Sequence, residues 1–432
     1  MLIYCQLITP RIDYIIDYIF NNRLGIDYEL ITDVKYFKNE SGPKINYSKI
    51  VFKKCLQIIP EGLLSELDIR NTLPNYVRTN NQLLLFPDIE THSIGFDVFS
   101  ACFWYLSRYE EYGDFEADTF DRFPASESFS FNKNILNQPI VDQWVYILRK
   151  EITTCFPAIE LKKEKYTVKP TIDIDSPWCY KYKGFTRNLL GFLRDMIHAN
   201  FEYVKLRYNV LTNKIGDPWY VFEWLTAVLN KLDINSVYFI HLGKYGRFDK
   251  TVNHKTDEIG NLLFLLKKNA LIGLHPSFRA ANNWAVFKKE IFRYEEISQK
   301  KLVRSRQHFL KFRLPEYYEM LESLEVASDY SMGFADKSGF RAGTSRWFYF
   351  YNLSQERKTT VKVHPFCIMD RTLKSYEKFD NEKVIQIFKE YSKSIKKVNG
   401  TFVSLWHNET FSDKFEWKGW KQLFEQIMTQ IS

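Results

Sequence analysis

No run of about 18 apolar residues occurs in the 432-residue chain, so the sequence offers no helix able to span a membrane. The opening MLIYCQLITPRIDYI lacks a basic segment and meets Pro10 and Arg11 before an apolar run forms, so it does not read as a secretion signal. There is no CxxC pair. Cys5, Cys55, Cys102, Cys155, Cys179 and Cys367 are scattered, which reads as reduced thiols and a cytoplasmic location. The segment TIDID runs on into SPWCYKYKG with no GxGxxG, which weakens a nucleotide-binding reading. No GxSxG is present, which disfavours a serine hydrolase. A large excess of one charge is also missing: 60 basic against 52 acidic residues leave a net +8. That mild balance admits an anionic membrane surface as partner and does not call for nucleic acid.

What is abundant is aromatic: 27 Tyr and 36 Phe bring the aromatic share to 17%. Such side chains fill cores and also line grooves that stack on sugar rings or bases. The length suits two domains rather than one core. Residues 1–165 read as a mixed α/β domain. Within it GFDVFSACFWYLSRYEEY (95–112) is apolar nearly all round, so it predicts a buried helix. A Phe-rich polar loop follows, then the helix IVDQWVYILRKEI. Pro157 and the lysine-rich LKKEKYTVKP place the boundary at 156–166.

Residues 166–432 alternate strand and helix. Seven strands are predicted, near 168–175, 235–242, 269–275, 301–309, 326–331, 359–366 and 400–407, with amphipathic helices between most of them. This order predicts a parallel α/β sheet or barrel. A long insertion, 176–234, separates the first two strands and predicts two helices, FTRNLLGFLRDMIHANFEYVKLRYNVL and PWYVFEWLTAVLNKL. Between Lys181 and Lys214 stand seven basic residues against two acidic. The plain reading is a solvated helix over the barrel; the sharper one is a basic amphipathic surface for a membrane face, or for a partner.

In parallel barrels the C-terminal strand ends build the active site. Here those ends carry Asp173 and Asp175, His241, His275, Arg306 and His308, Asp329, His364 and His407, the last followed by Asn408 and Glu409. Asp173 and Asp175 are two apart and share a strand face, which is unfavourable unless a cation or proton lies between them. His275 and His407 favour function over a structural role, while His241 and His364 read evenly. His92, His198 and His254 fall away from the strand ends and read as surface or helix residues.

T-I-D-I-D on the first strand, I-G-L-H on the third, the arginine strand and L-W-H on the last together resemble the polysaccharide deacetylases, the NodB-like enzymes of carbohydrate esterase family 4. The resemblance covers 166–432. It implies a distorted (β/α)7 barrel and a divalent-metal-dependent hydrolase that removes N-acetyl groups from sugars. By that resemblance Asp173 is the general base and Asp175 and His275 are metal ligands. His407 is then the general acid and Arg306 the residue that orients the base, with Asp329 fixing His407 or Arg306. The metal implied is zinc, with nickel or cobalt as alternatives. The partner implied is an N-acetylated oligosaccharide or sugar precursor. Residues 1–165 resemble the extra N-terminal region of bacterial deacetylase-like proteins from surface-polysaccharide gene neighbourhoods.

One position departs from the pattern. Four residues after His275, where the family places a second metal histidine, stands Arg279; a guanidinium stays protonated and cannot ligate. Two protein ligands hold a divalent ion poorly. Either His308, on the adjoining strand, completes the site, or the metal centre has decayed. The first outcome is a cytoplasmic de-N-acetylase at the inner membrane face. The second is a catalytically degenerate deacetylase-fold protein that binds carbohydrate or scaffolds polysaccharide assembly. A related amidohydrolase without acetyl specificity is a third reading.

Overall fold

Short β-branched and aromatic segments near the N-terminus pair as a parallel sheet. In this computed structural model, which describes residues 1–79, 82–88 and 94–432, they are β1 (Leu2–Cys5), β2 (Glu29–Ile31), β3 (Lys44–Tyr47) and β4 (Leu56–Ile58), in the order β2-β1-β3-β4. An antiparallel pair, β5 (Tyr76–Thr79) and β6 (Gln82–Leu85), follows. The helix Val98–Leu106 is buried on every face, as an unbroken apolar sequence requires. Asp97 caps it, accepting from the backbone N–H groups of Phe99 and Ser100.

The seven expected strands are present: β7 (Thr167–Ile174), β8 (Val237–Ile240), β9 (Leu271–Leu274), β10 (Arg304–Ser305), β11 (Ser328–Asp329), β13 (Arg357–Val363) and β15 (Thr401–His407). Two more, β12 (Phe348–Asn352) and β14 (Ile368–Met369), complete a nine-stranded sheet ordered β12-β13-β11-β10-β9-β8-β7-β15-β14. All neighbours are parallel except β12 and β13. The α/β class expected of a distorted (β/α)7 barrel is present, but the sheet is open and mixed and does not close. Antiparallel β12 takes up the outer hydrogen bonds of β13 that closure would need, and β14 offers only two residues at the other end. The β12 edge is covered rather than paired: the Tyr14 hydroxyl donates to the carbonyl of Tyr349 at 2.7 Å.

The segment 156–166 carries no helix or strand, yet the parts on either side share one continuous apolar core. Buried polar contacts tie them as well. Arg11 meets Glu356 at 2.5 Å, Glu111 meets Arg341 at 2.5 Å, and Asp142 accepts from Arg23, Thr344 and Ser345 at 2.7–2.8 Å.

The insertion holds three helices, Phe185–Ile197, Phe201–Leu211 and Phe222–Lys231. The single helix expected over 185–211 is broken into a hairpin at Ala199, whose φ of 53° is left-handed and ends the first helix.

Candidate active site

Alternation along β7 buries Ile172 and Ile174 on one side and turns Asp173 and Asp175 to the other. Asp173 Oδ1 accepts from Arg306 Nη1 at 3.0 Å, with both side chains buried. Arg306 Nε donates to the Tyr330 carbonyl at 2.9 Å, and its guanidinium lies 4.7 Å over the Phe239 ring, so the cation is held by dipoles as well as by charge. Gly273 on β9 makes that stacking possible: a Cβ there would stand 2.6 Å from the Arg304 carbonyl and 2.7 Å from the Phe239 ring.

His275 ends β9. Its Nδ1 lies 2.6 Å from the Arg306 carbonyl, which can only accept, so Nδ1 carries the proton and Nε2 is the free lone pair of the neutral ring. That Nε2 lies 3.2 Å from Asp175 Oδ1 and 3.7 Å from Asp173 Oδ2. His308, at the start of the short turn His308–Leu310, donates from Nδ1 to Asp249 Oδ1 at 3.0 Å and points Nε2 to Asp175 Oδ2 at 3.5 Å. Asp175, His275 and His308 thus offer one ligand atom each, all within 4.8 Å of one another. Asp175 Oδ1 and His275 Nε2 are buried and lack any hydrogen-bond partner.

A lone pair facing an unpartnered carboxylate oxygen is repulsive unless positive charge lies between them. Burial would lower the charge on His308, but Asp175 and Asp249 outweigh it and push the ring up to about 10. Burial would raise Asp175, but the His308 ring holds it well below the usual carboxylate range. Two imidazole nitrogens and a carboxylate, with Asp249 behind His308 and a backbone carbonyl behind His275, fit a divalent ion with its outer hydrogen bonds in place. A second grouping, His241, Asp249 and His308, suits one less. His308 Nδ1 is already spent on Asp249, and Asp249 Oδ1 also accepts from the Phe278 N–H at 2.8 Å.

On the other side of Asp173, His407 ends β15 and donates from Nδ1 to Asp370 Oδ1 at 2.8 Å. Burial alone would lower His407, but the Asp370 carboxylate pushes it up to about 9. Asp370 also accepts from the His407 N–H at 2.7 Å and from the Thr410 hydroxyl, so its orientation is fixed. Beyond it, burial raises the Glu409 carboxyl despite the Arg371 guanidinium bonded to it.

A cavity of about 530 Å³ is lined by Asp173, Asp175, His275, His308 and His407, with Trp219, Phe248 and Tyr376 among its aromatic walls. Arg122 lines it too, so the N-terminal segment supplies part of the wall. Asp370 and Asp249 were not picked out from the sequence. Asp370 follows a two-residue strand and Asp249 lies in the loop after β8, so neither sits on a recognisable strand end.

Other sequence-predicted residues go elsewhere. Asp329 does not fix His407 or Arg306; it accepts from Tyr317, Tyr318 and Ser331 at 2.7–3.0 Å behind the sheet's end. The short β11 turns it toward the helix Glu316–Ser323 instead. His241 is buried, donates from Nδ1 to the His275 carbonyl at 2.9 Å, and is lowered by burial and by His308 to about 4. His364 stacks on Tyr330, with ring centroids 4.4 Å apart, and does not line the cavity. His198 sits exposed at the end of its helix and His254 is half-buried in the loop before the next. Arg279 is exposed on the turn Phe278–Ala280, while His308 occupies the place beside His275. His92 lies outside the described residues.

Residues 1–157 match the model of a family of unknown function (DUF7033). No curated protein matches the chain. Among solved structures, one from Mycobacterium smegmatis, described as a "putative polysaccharide deacetylase", is similar at 10% identity with a TM-score of 0.40. That likeness covers 62% of this chain and 85% of the other.

Proposed function

We propose that this protein is a metal-dependent hydrolase that removes an N-acetyl or other acyl group from a sugar in surface-polysaccharide metabolism. One observation carries the reading: two imidazole nitrogens and a carboxylate face one another in a cavity, two of the three atoms without partners. They are flanked by an arginine-held carboxylate and a carboxylate-held imidazole. The acyl-sugar part rests on the T-I-D-I-D, I-G-L-H and L-W-H segments and their resemblance to the polysaccharide deacetylases.

Asp175, His275 and His308 would hold a divalent ion, zinc first and nickel or cobalt as alternatives. Bound there, it supplies Lewis-acid polarisation of the acyl carbonyl and lowers the pKa of water. The remaining work belongs to the chain. Arg306 occupies Asp173 Oδ1 and leaves Oδ2 to accept the proton of the attacking water. Asp370 keeps His407 protonated, so Nε2 can give a proton to the amine nitrogen as the carbon–nitrogen bond breaks. Trp219, Phe248 and Tyr376 offer faces for sugar rings. On this reading residues 166–432 are the catalytic part, 1–165 an accessory part that completes the cavity wall, and the reaction is cytoplasmic.

The test is metal content of the purified chain together with acetate release from N-acetylated chito-oligosaccharides. The expected outcome is near-stoichiometric zinc, nickel or cobalt that is lost in Asp175→Ala and in His308→Ala, and acetate release that falls at least about 100-fold in Asp173→Asn. Metal-free protein with no acetate release under any of the three metals would overturn the reading.

A further inference from the structure

The hairpin Phe185–Leu211 is amphipathic in the reverse of the usual sense. In a surface helix of a folded domain the apolar stripe faces inward and the polar face meets water. Here Phe185, Leu189, Leu190, Leu193 and Ile197 recur at helical spacing and stand outside, Phe185 and Ile197 at 81% exposure and Leu190 at 62%. Phe201, at the tip, is 63% exposed. The inward side is polar: Asp195 is buried and accepts from Arg207 of the second helix at 2.7 Å. Gly191 lets the two helices meet there, since a Cβ would stand 2.6 Å from Arg207 Nη2. A buried ion pair thus fixes the hairpin with its greasy side outward.

We propose that this face docks on an anionic membrane surface. The charge pattern selects that occupant over a second copy of the chain. Between Lys181 and Lys214, Arg194, Lys205 and Lys214 are exposed against one exposed acidic residue, Glu202, while Arg207 and Asp195 neutralise each other inside. Two copies facing each other here would bring like charges together, whereas apolar residues rimmed by Lys and Arg suit lipid headgroups. No helix among the described residues is long and apolar enough to cross a bilayer, so the attachment is peripheral.

The hairpin is rooted at the cavity rim. Asp217, past its second helix, accepts from the backbone N–H groups of Cys179, Tyr180 and Lys181 before its first, at 2.7–3.0 Å. Lys183 lies 4.6 Å over Trp219, a cavity wall. On the deacylase reading, docking brings a lipid-borne saccharide to the mouth. That substrate assignment rests on the reading, whereas the docking does not.

Flotation of the full-length chain with vesicles separates the two. Partition onto vesicles of phosphatidylcholine and phosphatidylglycerol in equal parts is expected to exceed that onto pure phosphatidylcholine by about tenfold or more, and to fall with salt. Leu190→Glu with Ile197→Glu abolishes it, and Arg194→Glu with Lys205→Glu removes the preference for the anionic lipid. Circular dichroism and the Tm report whether each variant is folded. Phe185→Ser, at an exposed helix start, serves if the double change unfolds the chain. No vesicle binding by the wild type, equal binding to both lipids, or unchanged binding of the folded Leu190→Glu, Ile197→Glu chain overturns the proposal. A dimer that this variant dissociates, without lipid binding, assigns the face to a second copy. Vesicle binding without acetate release retains the docking and discards the substrate.

Discussion

Asp370 touches nothing in the cavity directly, yet it sets the charge of the residue that does. Its carboxylate holds His407 charged up to about pH 9. The charged ring is the proposed acid, so its contribution is present below that value and lost as pH rises through it. Asp370→Asn removes the strongest opposing charge and leaves burial, which lowers the ring, against the weaker pull of Asp175 and Asp173, which raise it. The alkaline limb of the acetate-release profile should then move down by roughly two units, toward the ordinary value of about 6.5. A pH–rate series on the two proteins reads this, and an unmoved limb would assign it to another group. Arg306 acts on Asp173 by position instead, donating to Oδ1 at 3.0 Å and leaving Oδ2 turned to the cavity.

At the level of elements, the turn bearing His308 is the most constrained piece of the site. Phe309 and Leu310 are both left-handed, with φ of 61° and 53°, a conformation that costs roughly 1–3 kcal/mol each for such side chains. Part of what holds the turn comes from the other half of the chain: Arg122 Nη1 donates to the Phe309 carbonyl at 2.8 Å, and Phe120 packs on the Phe309 ring with centroids 5.1 Å apart. Arg122→Gln should therefore loosen His308 and weaken metal binding by about 10-fold, read by chelator competition, while a full-affinity variant would show the turn to be self-supporting. This link was not legible in the sequence. The alternation of strand and helix and the polar strand ends identified seven strands, Asp173, Asp175, His275 and His407 as one cluster, and His308 as their neighbour. Periodicity is silent on contacts between distant segments, so the Arg122 loop read only as polar and Phe-rich. It is equally silent on two-residue strands such as β14 and on the antiparallel β12, which together leave the sheet open. The break at Ala199 was hidden because residues 185–211 keep a helical pattern through it.

The molecule as a whole is held by a core and by ion pairs that cross the boundary at 156–166. Glu111 is the clearest of these, accepting from Arg108 at 2.7 Å and from Arg341 at 2.5 Å, with all three buried. Glu111→Gln leaves two buried guanidinium groups short of a counter-charge, a change expected to cost about 3–5 kcal/mol. Urea denaturation should show a lower midpoint with an unchanged slope. A midpoint within experimental scatter of the wild type would mean that Glu110, bonded to Arg108 at 2.8 Å, already suffices. The β7–β15 ladder works on the same molecule in another way. His407 is the register partner of Asp173, so the proposed acid and base share one rung of adjacent strands, and backbone hydrogen bonds set their spacing. The loops that wall the cavity can therefore change shape while the proposed acid and base keep their spacing.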